Sequence, residues 1–198
     1  MNLFEQRDLL IKEVFKPTFK TAGFRIPGTT FKKQEKDFLK IFNVQNSAWN
    51  LDDHVSFYLN IGFFFPIVNE LNGQEIPKNP KEHDCIFRIR TDSLTGRNQA
   101  YDILPETDLN ELRTLLQTDL NDYVIPFFER YNELEDCLNL KNEFQDLHSS
   151  AEPYIGLTMM KNGNKDLGEN ILMNFIETTH KEYADTLLGF RDELTKSW

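Results

Sequence analysis

The chain has 198 residues, of which 39% are hydrophobic, and its formal net charge is −10. That length and composition predict a folded chain with a substantial core and exclude a disordered one. The negative charge argues against nucleic acid as the main partner, and no apolar run has the length of a membrane span. The two cysteines, Cys85 and Cys137, lie far apart and predict no disulfide framework, so we expect a reducing cytoplasm.

The N-terminal residues predict a bent amphipathic helix. Asn2 followed by Glu5 is typical of a capping box that opens a helix. Pro17 lies inside the helical pattern and lacks a backbone N–H, so we expect a bend there. Gly23 is a natural stop signal, which predicts that the helix ends just before it.

About five strands are predicted next, because apolar and polar residues alternate with a period of two. The predicted strands are Thr29–Gln34, Phe38–Gln45, His54–Phe65, Asp84–Thr91 and Gln99–Ile103. Residues 66–80 are rich in Asn, Pro and Gly and predict a loop, and residues 92–98 predict a hairpin connection. The short links between consecutive strands favour an antiparallel meander.

After Pro105 the apolar residues follow the period of a helix. Thr107 is a suitable N-cap for a long helix, in which Pro126 is expected to cause a kink. Further helices are predicted over Leu140–Leu147, from Ser150 and from Lys165. The order of helix, strands and helices predicts an α+β fold, with a domain at residues 1–137 and a helical extension at residues 138–198.

The predicted sheet has one apolar face, whose longest row is Phe57, Leu59 and Ile61. Both the N-terminal helix and the Thr107 helix carry a matching apolar stripe, so we expect both to pack on this face. The opposite face should then carry the polar residues of the same strands.

The polar residues on that opposite face are the best candidates for a site, because such groups are costly to bury without partners. They are Asn43, Gln45, Tyr58, Asn60, Arg88 and Arg90. Two guanidinium groups beside carboxamides and a phenol are suited to bind a carboxylate or a phosphate. Alternatively, the two arginines pair with acids such as Asp92 or Asp102, or simply face water.

No catalytic motif, metal motif or Gly-rich phosphate loop is present, and no cofactor is predicted. Residues 82–85 include several types of metal ligand, but neighbours on a strand point to opposite faces and cannot converge on one ion. His54, His148 and His180 are isolated and belong to no visible set of nucleophile and base, and Cys85 is expected to be a buried small hydrophobe. These observations favour a binding protein over an enzyme.

Charge is distributed unevenly along the chain. Residues 1–104 hold 14 Lys and Arg against 13 Asp and Glu, whereas residues 105–198 hold 8 against 19. An acidic surface of this kind favours association with a basic protein, for instance by an inhibitor- or immunity-type protein. The acids expected to form it line the exposed side of the Thr107 helix and its end: Asp119, Asp122, Glu129, Glu133 and Asp136. The alternative is that they only solvate the helices.

A series of short motifs follows one another along the first part of the chain. They are Phe15-Lys16-Pro17, Gly23-Phe24, Thr30-Phe31, Asn43-Val44-Gln45-Asn46-Ser47 with Trp49, Val55-Ser56-Phe57 with Asn60-Ile61-Gly62, Asp84-Cys85 with Arg88-Ile89-Arg90, and Pro126-Phe127-Phe128. In this order they resemble a bacterial family labelled domain of unknown function 4304, over about residues 1–135. The resemblance implies a fold and a bacterial setting, and the label carries no activity or catalytic residues.

Overall fold

The computed structural model describes residues 1–97, 100–144 and 151–196. Its strands form one five-stranded antiparallel sheet, which helices precede and follow, so the predicted α+β fold is confirmed. The strands are β1 (Thr30–Gln34), β2 (Leu39–Asn46), β3 (Val55–Phe64), β4 (Phe87–Arg90) and β5 (Tyr101–Ile103).

Helices flank the sheet in sequence and differ in type. The α-helices are α1 (Leu3–Leu10), α2 (Lys16–Thr21), α3 (Pro66–Leu71), α4 (Asp92–Thr95), α5 (Leu109–Asp119), α6 (Ile125–Glu129), α7 (Leu140–Glu143), α8 (Glu152–Lys161), α9 (Lys165–Ile176) and α10 (Lys181–Thr195). Short 3-10 helices span Glu82–Asp84 and Glu135–Asn139, and π-helical turns span Ile11–Phe15 and Leu120–Val124. None of the helices in the described ranges is long and apolar enough to cross a membrane.

The chain divides into two compact units. Unit 1 comprises Met1–Glu35, Leu39–Phe64 and Lys81–Arg130, and it contains the whole sheet. Unit 2 comprises Lys36–Phe38, Phe65–Pro80 and Tyr131–Trp198. The domain boundary predicted after residue 137 stays a prediction.

The last strand departs from the predicted meander. Strands β1 to β4 follow one another across the sheet in chain order, but β5 pairs with β3. Phe57 pairs with β2 and with β5 at the same time, and Asn60 pairs with β2 and with β4. Strands β4 and β5 therefore lie end to end along the side of β3 that faces away from β2. Helix α4 occupies the connection that was predicted as a simple hairpin.

Each proline that was expected to bend a helix follows a π-helical turn. The turn at Ile11–Phe15 precedes Pro17, and the turn at Leu120–Val124 precedes Pro126. A proline ring inside a regular α-helix clashes with the carbonyl four residues earlier. The wider turn bonds each N–H five residues back, and this change in the backbone ladder makes room for the ring.

The predicted start of the first helix is confirmed. The Asn2 side chain accepts a hydrogen bond from the Glu5 N–H at 2.8 Å, and the Glu5 carboxylate accepts one from the Asn2 N–H at 2.9 Å. The stretch ends at Thr21, just before Gly23, whose φ of 82° is costly for residues with a side chain.

Other helix boundaries differ from the prediction. Asp108, and not Thr107, caps α5 by accepting a hydrogen bond from the Asn110 N–H at 2.8 Å. The Thr107 hydroxyl instead accepts the Leu104 N–H within the preceding turn. Residues 66–80 were predicted as a loop, but they contain α3. This helix begins at Pro66, since a proline suits the first turn of a helix. The predicted cap at Ser150 lies outside the described residues.

The core of unit 1 lies on the predicted apolar face of the sheet. Leu59 is 1% exposed, and its neighbours on that face are equally buried. The ring of Phe15 lies 6.5 Å from that of Phe57, and the ring of Phe127 lies 5.9 Å from that of Phe63. Both the N-terminal helical stretch and α6 therefore pack on this face, as the matching stripes predict.

Unit 2 contains a close approach between α8 and α9. A Cβ at Gly156 would lie 2.8 Å from the Gly168 carbonyl oxygen. Because real Cβ atoms essentially never come that close, the packing of the two helices depends on glycine at this position.

We expect the substitution Leu59→Asp to unfold the protein or nearly so, because it buries an unpaired charge in the centre of the sheet. The same change at Leu51, which is 63% exposed, should alter the free energy of unfolding by less than about 0.5 kcal/mol. Urea denaturation of both variants checks the assignment. A near-normal unfolding midpoint for Leu59→Asp would contradict it.

Candidate functional site

The polar residues predicted to form a site lie on one face of the sheet. In the middle row, Asn60 of β3 pairs with Asn43 of β2 on one side and with Arg90 of β4 on the other. Both asparagines are buried and hydrogen-bonded. Asn43 donates to the Thr30 hydroxyl at 3.0 Å, and Asn60 donates to the Gln45 side-chain oxygen at 2.8 Å. The middle row is therefore a polar floor held by its own hydrogen bonds.

Two arginines of β4 stand beside this floor. Arg88 pairs with Gly62 and Arg90 pairs with Asn60, so both side chains leave the same face of the sheet. Both side chains are exposed. The Arg90 guanidinium lies over the ring of Tyr58, 4.2 Å from its centre, which is a cation–π contact. This contact orients one guanidinium without neutralising it.

The acids that were the alternative partners of these arginines are bonded elsewhere. The carboxylate of Asp102 lies 2.9 Å from Nε2 of His54 and accepts a hydrogen bond from the Ser56 hydroxyl. The carboxylate of Asp92 accepts the N–H of the next residue at 2.7 Å. Among the described residues, neither β4 guanidinium forms an ion pair with a carboxylate. Both arginines line the groove beside them.

That groove has a volume of about 540 Å³ and is partly open to solvent. The residues that line it are Gln45, Asn60, Glu82, His83, Arg88, Ile89 and Arg90. Four of them belong to the polar set predicted from the sequence. Of the other two members of that set, Tyr58 supports Arg90, and Asn43 lies beside the groove in the middle row.

The second wall of the groove is the 3-10 helix Glu82–Asp84, which the sequence pattern did not predict. We expected β4 to begin at Asp84, but it begins at Phe87. The Asp84 carboxylate accepts the Lys81 N–H at 2.8 Å, and this bond closes the short helix. A 3-10 turn has no apolar period of its own, so only the acidic cap three residues after Lys81 could have indicated it.

Cys85 anchors this wall to the sheet. It is buried, as predicted, but it packs against Gly62 on the polar face and not on the apolar face. There it forms a small apolar cluster with Ile41 and Phe64. Burial raises the pKa of the Cys85 thiol, so the group stays protonated and acts as a small hydrophobe. The groove therefore lies where the polar part of this face meets its apolar part.

Glu82 introduces a negative charge into the groove. Its Oε2 atom is buried and has no hydrogen-bond partner among the described residues, and its Oε1 atom lies 3.8 Å from Nδ1 of His83. A buried carboxylate oxygen without a donor is costly. The groove thus combines two guanidinium groups with one carboxylate.

A histidine, a serine and a carboxylate also come together, although the sequence predicted His54 to be isolated. That prediction is wrong, because β5 brings Asp102 beside Ser56. In a catalytic triad, the serine and the carboxylate contact different ring nitrogens of the histidine. Here both approach Nε2 of His54, at 3.1 Å and 2.9 Å, and the serine hydroxyl donates to the carboxylate. This geometry differs from that of a catalytic triad.

Metal binding receives no support from the described part of the chain. No group of three or more His, Cys, Asp and Glu residues is arranged there to hold a metal ion. Within the 82–85 segment, the ring nitrogens of His83 lie 3.8 Å from the Glu82 carboxylate and 3.9 Å from the Asp84 carboxylate.

Asp119 is not on the exposed side of its helix, so the prediction that it contributes to a partner surface is wrong. It is fully buried, because it follows Leu112 and Leu116 at helical spacing on the buried side. The hydroxyl of Tyr101 donates to it at 2.5 Å, and Arg97 forms an ion pair with it. Burial raises the pKa of Tyr101, which keeps this donor protonated.

The remaining acids of that predicted surface differ among themselves. Asp136 accepts the N–H groups of Asn132 and Glu133 at 3.0 Å and 2.9 Å, so it caps a turn. Asp122, Glu129 and Glu133 are exposed. Only these three exposed acids lie at the surface, where the predicted contact with a basic partner requires them.

The fold and the groove define an α+β domain with a polar site on one face of an antiparallel sheet. Residues 15–130 match the family described as Domain of unknown function (DUF4304), so the chain belongs to that family and the resemblance seen in its motifs is confirmed. The matched segment includes all five strands and every residue that lines the groove. Searches of the curated proteins and of the solved structures found no match.

We expect Gly62→Ala to lower the free energy of unfolding by about 1–3 kcal/mol, as overpacking in a core does. The added Cβ would lie 2.6 Å from Sγ of Cys85. A matched control is Gly189→Ala in α10, where nothing lies within 4 Å and a helix gains from alanine.

Thermal and urea unfolding of both variants, of Cys85→Gly, and of Cys85→Gly combined with Gly62→Ala measure this effect. Adding Gly62→Ala to Cys85→Gly should cost less free energy of unfolding than Gly62→Ala alone, because the clashing side chain is gone. An equal loss with and without the Cys85 side chain would show that the 3-10 helix Glu82–Asp84 is not held by a contact between Cys85 and Gly62.

Proposed function

We propose that this chain is a binding protein whose groove holds an anionic group, a carboxylate or a phosphate, of its ligand. The observation that carries the proposal is that Arg88 and Arg90 both line one groove while neither is neutralised by a described carboxylate. Guanidinium groups match the geometry of carboxylates and phosphates and bind them bidentately.

The surroundings of the arginines support binding. Asn60 is buried in the floor with its amide donating to Gln45, and Tyr58 supports the guanidinium of Arg90. Side chains that are already held in place lose less conformational freedom when a ligand binds. The volume of about 540 Å³ lies in the range of small-molecule sites.

The side chains with nucleophilic atoms near this face favour binding over covalent chemistry. Cys85 is buried with a raised thiol pKa, and a protonated thiol is a poor nucleophile. Ser56 is buried and is not among the residues that line the groove. Neither group supplies an activated nucleophile to the groove.

We expect Arg88→Ala to weaken binding of an anionic ligand by about tenfold to a hundredfold, because a charged hydrogen bond contributes about 1.5–3 kcal/mol. Calorimetric titration with inorganic phosphate and with simple carboxylates measures the change. Arg88→Lys keeps the charge but loses the planar guanidinium group. Its affinity should therefore lie between those of the unmodified protein and Arg88→Ala.

The control for this experiment is Arg25→Ala, which removes the same charge from an exposed position in unit 1 outside the groove. Its affinity should equal that of the unmodified protein. If no anion binds the unmodified protein, or if Arg88→Ala lowers stability and leaves affinity unchanged, the arginines are structural and the proposal fails.

A second candidate function is association with a basic protein through the acidic helices. It is favoured by the excess of 19 acidic over 8 basic residues in residues 105–198, and by the exposure of Asp122 and Glu129. Such a field accelerates association and weakens within a Debye length of about 8 Å at physiological ionic strength. An inhibitor- or immunity-type role would use this surface.

We expect the double variant Asp122→Asn, Glu129→Gln to lose a basic partner captured at low salt, and raised salt to release that partner from the unmodified protein. Asp52→Asn with Asp53→Asn is the control, since it removes two exposed acids from the nearly neutral part of the chain. Retention by the first double variant would show that the acidity serves solubility alone.

A further inference from the structure

The charges inside the groove restrict the ligand further than the arginines do alone. Glu82 lines the groove together with Arg88, and its Oε2 atom is buried without a donor among the described residues. A ligand with several negative charges would place one of them against this carboxylate. A ligand that also carries a cationic donor would instead pair with this carboxylate.

The two opposite charges lie near the same residue, Cys85. Arg88 pairs with Gly62, and Cys85, which follows Glu82 by three residues, packs directly on Gly62. Both Glu82 and Arg88 act electrostatically on the Cys85 thiol, with opposite signs. No ion pair joins the two within the described residues, so each is left for a group of the ligand.

We propose that the ligand carries an α-amino acid group, whose carboxylate binds Arg88 and Arg90 and whose ammonium binds Glu82. This inference rests on the proposed function, because it assigns the anion of that groove to the carboxylate of a zwitterion. An α-amino acid carries its ammonium and its carboxylate on the same carbon atom, which suits two opposite charges near the same residue.

The neighbouring side chains fit this assignment. Arg90 is oriented by Tyr58 and completes a pair of guanidinium donors for one carboxylate. His83 lies at the mouth of the groove beside Glu82, with its side chain more than half exposed. The volume of about 540 Å³ leaves room for a side chain beyond the charged fragment.

Calorimetric titration with each of the proteinogenic amino acids, and with γ-glutamyl dipeptides, tests the proposal. The dipeptides distinguish a free amino acid from a larger molecule that ends in the same group. Each amino acid that binds is compared with its N-acetyl derivative, which keeps the carboxylate and loses the ammonium, and with inorganic phosphate.

We expect the affinity of the best amino acid to exceed that of its N-acetyl derivative by about tenfold or more. A hydrogen bond to a charged group changes affinity by about that factor. Glu82→Gln should remove this preference and leave affinity for the N-acetyl derivative equal or greater. Glu106→Gln, an exposed change outside the groove, should have no effect. Arg88→Ala should weaken binding of both compounds.

Two failures can be told apart. If phosphate or the N-acetyl derivative binds as tightly as any amino acid, and Glu82→Gln leaves that order unchanged, the groove binds anions and the zwitterion assignment is wrong. If no compound binds the unmodified protein, the proposed function itself is wrong. A melting temperature for Glu82→Gln equal to that of the unmodified protein establishes that the variant is folded. If its melting temperature is lower, Glu82→Ala is used in its place.

Discussion

The contact between Cys85 and the backbone of Gly62 is the constraint on which the groove depends. Strand β3 is almost wholly buried, so at Gly62 it must be covered on both faces. Glycine leaves room for Cys85 to pack directly on the strand. Because Cys85 directly follows the 3-10 helix Glu82–Asp84, this contact also positions that helix. Without that close approach, the groove would have a floor but no second wall.

The face that holds the groove is chemically divided along its length. At one end Ile41 and Phe64 pack with Cys85, and burial of apolar surface stabilises the contact. Toward the other end Asn43 and Asn60 are buried, and each is matched by a hydrogen bond to a neighbouring strand. Because the polar floor is satisfied by the sheet itself, the charged side chains above it remain available to a ligand.

The position of the polar residues could be predicted from the sequence, whereas the far wall could not. Alternation along β3 and β4 correctly placed Asn60, Arg88 and Arg90 on one face, since successive side chains of a strand point to opposite sides. The same alternation wrongly extended β4 back through Cys85. A residue next to a strand continues the pattern by chance, and only its contact with Gly62 shows that it has changed face.

The sequence by itself determined the fold class, the capped first helix, the apolar face of the sheet and the polar set opposite to it. These follow from local periodicity and capping, which depend on neighbours along the chain. The tertiary structure alone decided that β5 returns to β3 and that Asp119 is buried against Tyr101 and Arg97. Strand pairing and the burial of a charge depend on partners distant in sequence, and no local pattern specifies which partner is near.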